Sequence, residues 1–315
     1  MKPATAKPAE PSAAEPAATG RRDAMGSLLM LSGAVWFGAI VILMKLFQQE
    51  SSLGVFSTLA LRFGLAALLL AALLLAMRRP LRPAPGEGRW LFAMGAVGYA
   101  AEASLFFAAL RHGTAAAVTL VFYTYPVFVA LVSISLHRKR PHVRLVGALV
   151  LALGGVAIVA ASSEGIDISG TGLALALGAA LTYTAYPIGA EFKVRRTGPL
   201  VGALWASGAV SVGLFAFAAA SGTLGLPSTS REWLLLAGMA LATVMAFVCL
   251  LEGVRRVGAL RGSIISSTEP LAAAILGFLV LSEHLSTGTA FGGLVILAGA
   301  VLASIARPAP PEPSF

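Results

Sequence analysis

Residues Ser266–Ser286 read SSTEPLAAAILGFLVLSEHLS. An acid, Glu269, stands beside Pro270 within an apolar run covering 260–281, and a second acid, Glu283, follows that run. About 20 apolar residues are what a bilayer-crossing helix requires. A carboxylate inside such a run costs several kcal/mol and persists where it faces a bundle interior or a wet cavity. Pro270 removes a backbone N–H and disfavours the helical region at Glu269 itself. The freed carbonyls must find partners in protein or water, because lipid offers none. The stretch therefore predicts a membrane helix bent beside a polar site, roughly 10–15 Å from one surface at about 1.5 Å rise per residue.

The rest of the chain fits. Of its 315 residues 57% are hydrophobic and only 12% charged, with a mean hydropathy of +0.85. A soluble domain carries roughly a quarter charged residues. The net charge of +9 raises the question of nucleic acid. The basic residues fall in short clusters between apolar runs, and no soluble domain exists to gather them on one face, so nucleic acid is excluded as a partner. Cys249 is the only cysteine, which rules out an intrachain disulfide or a cysteine-based metal cluster.

Ten apolar runs cover about 26–47, 55–77, 90–110, 114–136, 143–161, 171–192, 199–220, 232–252, 260–281 and 287–306. They are continuous rather than alternating, so they predict helices and not a barrel. Residues 1–24, Ala- and Pro-rich, and 307–315 read as disordered tails. With the N-terminus inside, 19 of the 23 Lys and Arg lie on the cytoplasmic side; Arg111 and Arg231 fall outside, and Lys45 and Arg62 lie in the membrane. The positive-inside rule therefore puts both termini in the cytoplasm of a multi-pass cell-membrane protein.

The halves 25–163 and 164–306 repeat each other. Arg111 and Pro126 correspond to Arg255 and Pro270 at an offset of 144; GALVL at Gly147 matches GGLVI at Gly292 at 145; GAVWFG at Gly33 aligns with AALTYT at Ala179 at 146. Each unit holds five crossings, an odd number, so the second copy enters from the opposite side. A 5+5 inverted repeat of this kind is typical of transporters whose site lies near the midplane between the halves. Pro126 and Pro270 then become paired gate hinges flanking that site. Gly147, Gly154, Gly292 and Gly299 put small residues on one face of the fifth and tenth helices, for close packing within the chain or in a homodimer.

The segments TEPLAAAILGFLVLSEHLSTGTAFGGLVILAGAVL in the second half, and YTYPVFVALVSI with GALVLALGGVAI in the first, resemble the EamA-like family of the drug/metabolite transporter superfamily. The likeness covers about residues 25–306. It implies a ten-helix inverted bundle that moves small metabolites, often amino acids or related compounds and frequently outward. One departure is LHRKRP after the fourth run, where a counterpart of the Glu283 acid would fall; a role for Glu283 is therefore not symmetric.

Other ionisable groups sit at depth. Arg62 and Glu102 lie on consecutive helices at similar depth and are expected to form an ion pair, serving either helix register or, through Glu102, an amine or proton site. Lys45 and Glu191 occupy equivalent positions and are expected to snorkel to the interface. Trp36, Tyr99, Tyr123 and Tyr183, with Tyr125, lie near mid-depth. Such rings offer an apolar body with a polar handle, as small-molecule sites do, and serve equally as packing. The substrate-binding candidates are Trp36, Tyr99, Glu102, Tyr123, Tyr183 and Glu269.

No phosphate-binding loop, metal-ligand spacing or membrane-embedded nucleophile–His pair is present, so no cofactor, metal or enzyme activity is expected. The sequence predicts a secondary transporter working by alternating access, with amino-acid or metabolite efflux as the first reading. The alternatives are a small-solute uptake permease and a non-transporting membrane scaffold subunit.

Overall fold

The computed structural model describes residues 14–137, 142–162, 167–282 and 286–306. Glu283 and the basic cluster Arg138, Lys139 and Arg140 lie outside the described residues, as do 1–13 and 307–315.

The first repeat contributes α1 (Ala14–Glu50), α2 (Val55–Ala76), α3 (Gly88–Ala109), α4 (Ala115–Phe122), α5 (Tyr125–His137) and α6 (Val143–Ala161). The second contributes α7 (Gly170–Phe192), α8 (Pro199–Ala220), α9 (Ser230–Val257), α10 (Ala259–Ser266), α11 (Glu269–Leu281) and α12 (Thr287–Ile305). Among the described residues they make ten spans long and apolar enough to cross a membrane, an even number, so Asp23 and Ile305 lie on the same side. The helix α1 begins at Ala14, inside the stretch expected to be a disordered tail, and its span starts at Asp23. Ala is the strongest helix former, and adding residues to an existing helix is far easier than nucleating one.

The fourth and ninth spans are each two helices. A short helix of eight residues, a two-residue turn and a helix of 13 residues follow in the same order in both, at a constant offset of 144. The expected bends are therefore full breaks. Pro126 and Pro270 sit second in α5 and α11, where a missing N–H is tolerated. The residue two before each proline is a threonine: the Thr124 hydroxyl donates to the Val121 carbonyl at 2.7 Å, and the Thr268 hydroxyl to the Ile265 carbonyl at 2.9 Å. Thr-x-Pro is thus a local device that ends one helix, satisfies a carbonyl and starts the next.

The repeats interleave. The helix α1 packs along α9, α3 along α7, α2 along α8 and α6 along α12, so each of these pairs takes one helix from each repeat. Small residues allow the closest approaches. A Cβ at Gly155 would lie 2.6 Å from the Gly292 carbonyl, and one at Gly299 would lie 2.9 Å from the Ala148 carbonyl. Gly292 and Gly299 therefore serve packing within the chain, the first of the two roles expected of them. Gly154 is exposed, with nothing near its Cβ position.

Among the described residues three ion pairs join the repeats: Asp23–Arg261 at 3.1 Å, and two more at opposite ends of the bundle. On the side away from the termini Glu50 pairs with Arg231 at 2.8 Å; on the terminal side Glu87 pairs with Arg196 at 3.5 Å. The repeat offsets map Glu50 onto Arg196 and Glu87 onto Arg231, so the first repeat supplies both acids and the second both bases. Glu87 is the better held. Its carboxylate accepts from the Arg196 N–H at 2.9 Å, the Thr197 N–H at 2.8 Å and the Thr197 hydroxyl at 2.5 Å. Burial pushes its pKa up, but the donors of Thr197 and Arg196 outweigh burial and hold it below the usual carboxylate range. A carboxyl whose folded pKa is depressed stabilises the fold above its unfolded pKa, near 4.3, and that contribution is lost as pH falls through the folded value. Glu87→Gln is expected to cost roughly 1–3 kcal/mol at neutral pH and to remove the acid-side fall in stability. Thermal unfolding of both proteins at pH 7 and pH 3.5 measures it; equal loss of stability at both pH values would refute it.

Candidate functional site

The two helix breaks meet near the middle of the bundle. Glu269, first residue of α11, lies ten residues from the start of its span at Ala259, roughly 15 Å at 1.5 Å per residue. Its carboxylate stands at a helix N-terminus, where the macrodipole favours negative charge. The equivalent residue of the first repeat is Tyr125, first in α5. Tyr125 is buried and its hydroxyl donates to the Ser263 carbonyl of α10 at 3.3 Å, which ties the two broken spans together.

Around Glu269 the other helices bring polar groups. The Tyr123 hydroxyl lies beside its carboxylate, and Arg62, Glu102, Tyr99 and Tyr183 lie within electrostatic range of it. The rings form a continuous chain: Tyr123–Tyr125 at 6.1 Å, Tyr125–Tyr183 at 4.8 Å and Tyr183–Tyr99 at 6.5 Å between centroids. Phe63 and Phe247 close it on the far side of Tyr99, at 5.1 and 6.1 Å. Glu102, Tyr123 and Arg62 are buried, whereas Glu269, Tyr99 and Tyr183 are half-buried despite their depth. Tyr99 ends a π-helical turn, Ala93–Tyr99, within α3. Such turns occur frequently at functional sites.

Five of the six substrate-binding candidates therefore converge: Tyr99, Glu102, Tyr123, Tyr183 and Glu269. Trp36 does not join the ring chain; with Phe37 it packs against Ile40, Ala242 and Ala246, between α1 and α9. Sequence reasoning left Tyr125 out of the candidate set, although the matching Thr-x-Pro triplets, Thr124-Tyr125-Pro126 and Thr268-Glu269-Pro270, align it with Glu269.

Arg62 and Glu102 make no ion pair of 4 Å or less among the described residues. The guanidinium lies instead over the Phe63 ring at 4.3 Å and faces Tyr99. Similar depth on neighbouring helices fixes height but not the rotation that aims a side chain. Glu191, expected to reach the interface, lies at the end of its span, where its carboxylate accepts from the Ala259 N–H at 2.9 Å and caps α10 just after Gly258, whose φ of +82° marks the sharp turn from α9. Lys45 is exposed.

A separate groove of about 450 Å³ opens at the face away from the termini. It lies between the α1–α2 loop, Ser51 to Gly54, and the α8–α9 loop, with Thr223, Ser228 and the buried Glu232 among its lining. Glu232 accepts from the Ser228 N–H at 2.6 Å, so its carboxylate is engaged within its own loop.

Ten membrane spans, an interleaved inverted repeat and paired broken helices around a polar midplane cluster define a membrane transporter fold. Residues 24–161 and 170–305 each match the EamA-like transporter family, and the chain belongs to that family. It is 26% identical over 289 residues to the uncharacterized transporter YwfM of Bacillus subtilis (strain 168), covering 89% of this chain and 94% of that one. It is 27% identical over 202 residues to the uncharacterized inner membrane transporter YicL of Salmonella typhimurium (strain LT2), covering 62% and 65%. A solved crystal structure superposes with a TM-score of 0.74 at 20% identity over 88% of this chain and 96% of that one, a likeness of fold. The protein is a multi-pass membrane transporter.

Proposed function

We propose that the chain carries small amphipathic metabolites, amino acids or similar solutes, out of the cell by alternating access. The observation that carries this reading is the meeting of α4–α5 with α10–α11. Each broken span can pivot at its Thr-x-Pro turn, and the two pivots flank Glu269 and the tyrosine chain. Inverted repeats support such a cycle because each half can adopt the conformation of the other. Pro126 and Pro270 serve as hinge residues; Tyr99, Glu102, Tyr123, Tyr183 and Glu269 contact the solute. The Lys and Arg asymmetry supports cytoplasmic termini, which puts the Glu87–Arg196 pair at the inner face and the Glu50–Arg231 pair at the outer.

Counterflow in proteoliposomes loaded with a mixed amino-acid panel tests the reading. Labelled amino acid is expected to accumulate when the same solute is present inside. Folded protein that exchanges no member of the panel would contradict the amino-acid assignment, and failure on other metabolites would contradict transport by this site.

A further inference from the structure

We propose that Arg62 and Glu102 form the charge-reading part of the site, Arg62 receiving a solute carboxylate and Glu102 its ammonium group. This deepens the transport reading above and rests on it. Arg62 is 6% exposed and Glu102 8%, on the consecutive helices α2 and α3. Each lies seven residues from the same end of the bundle, roughly 10 Å deep.

Such a pair has an evident structural use, a closed ion pair, and the chain makes closed pairs elsewhere. Arg231–Glu50 closes at 2.8 Å and Arg256–Glu252 at 2.6 Å. Arg62 and Glu102 do not close, and the Arg62 Nε has no hydrogen-bond partner among the described residues. An isolated buried charge is strongly unfavourable, and removing the partner of a buried pair is among the most damaging changes a fold can suffer. A guanidinium and a carboxyl held near each other and left open are suited to a molecule that carries both complementary groups.

The surroundings point the same way. From α3 Tyr99 faces the guanidinium; from α11 Glu269 adds a second carboxylate; Tyr123, Tyr125 and Tyr183 join the cluster from the α4–α5 turn, α5 and α7. The guanidinium is backed by the Phe63 ring at 4.3 Å, which limits its swing and fixes the plane it offers. An Arg fork matches a carboxylate in a bidentate geometry that a Lys cannot copy. With both acids ionised the cluster holds one negative charge more than Arg62 balances. A simple anion would worsen that excess at Glu102, whereas a zwitterion satisfies Arg62 and Glu102 together.

Binding to purified full-length protein in nanodiscs tests this, using α-amino acids of varied side chain and, for each, its methyl ester and its N-acetyl derivative. The ester lacks the negative charge and the acetyl derivative the positive one. Wild type is expected to bind at least one free amino acid and to bind both derivatives roughly tenfold or more weakly, the scale of one lost charge-assisted hydrogen bond. Arg62→Gln should erase the preference over the ester while keeping that over the acetyl derivative; Glu102→Gln should do the reverse. Should Arg62→Gln fail to fold, the wild-type series and Glu102→Gln still decide. Equal binding of amino acid and ester by wild type, loss of both preferences together in either variant, or no binding of any free amino acid would overturn the inference. Counterflow of the same purified protein in sealed proteoliposomes separates that outcome from failure of the transport reading, which falls only if no solute is exchanged.

Discussion

Glu269→Gln is expected to slow counterflow by roughly tenfold or more, the loss of a charge-assisted contact worth about 1.5–3 kcal/mol, while the protein folds as before. The carboxylate stands at the N-terminus of α11, half-buried, with Tyr123 beside it. Its helix is started by Pro270 and preceded by the Thr268 hydroxyl bond, neither of which depends on the charge. Gln keeps shape and size, so the break survives and only the charge is lost. Glu269→Gln protein that exchanges solute at the wild-type rate would remove Glu269 from the working site. Tyr125→Phe is the informative companion: it removes the 3.3 Å bond to Ser263 and leaves the carboxylate in place. A defect in that variant reports on the coupling between the two broken spans rather than on charge.

Replacing Gly155 by Ala is expected to destabilise the protein by about 1–3 kcal/mol, the range for overpacking a tight contact. The added Cβ would lie 2.6 Å from the Gly292 carbonyl and 2.7 Å from the Ile296 amide nitrogen. Both are backbone atoms, so α6 and α12 must separate along the pair's contact. The neighbouring Gly154 is the control. Nothing lies within 4 Å of its Cβ position, and Ala there improves helix propensity. Reaction of the buried Cys249 with a fluorogenic thiol reagent on heating reports unfolding directly, because it is the chain's only cysteine. Gly155→Ala should unmask it at lower temperature than wild type, and Gly154→Ala should not. Equal midpoints for both variants would refute the packing account.

Much of the architecture is legible in the sequence because lipid allows so few solutions. The ten apolar runs became ten spans, and the offsets of 144–146 became a repeat whose copies share helix lengths and breaks. Pro126 and Pro270 marked the breaks, since a missing N–H inside a span leaves a carbonyl that something must satisfy. What depth counting could not supply was rotation about each helix axis. Arg62 and Glu102 sit at similar height and still do not pair. Glu191 finds its partner in the α10 N-terminus, a tertiary fact with no local signal. Trp36 looks like its fellow aromatics in one dimension yet packs with Phe37 against Ile40, Ala242 and Ala246. Tyr125 is the opposite case: the Thr-x-Pro repeat aligns it with Glu269 in the sequence itself.

The central claim is that the cluster around Glu269 opens to each face in turn. Tyr183 is the position to probe, since it is half-buried and its ring meets those of Tyr99 and Tyr125. In a Cys249→Ser background, Tyr183→Cys would be exposed to a membrane-impermeant thiol reagent added from one side of sealed, oriented vesicles and then from the other. Labelling from either face alone, slowed in both cases by a transported solute, is the predicted result. Labelling from neither face, or from one face only under every solute gradient, would contradict alternating access at this site.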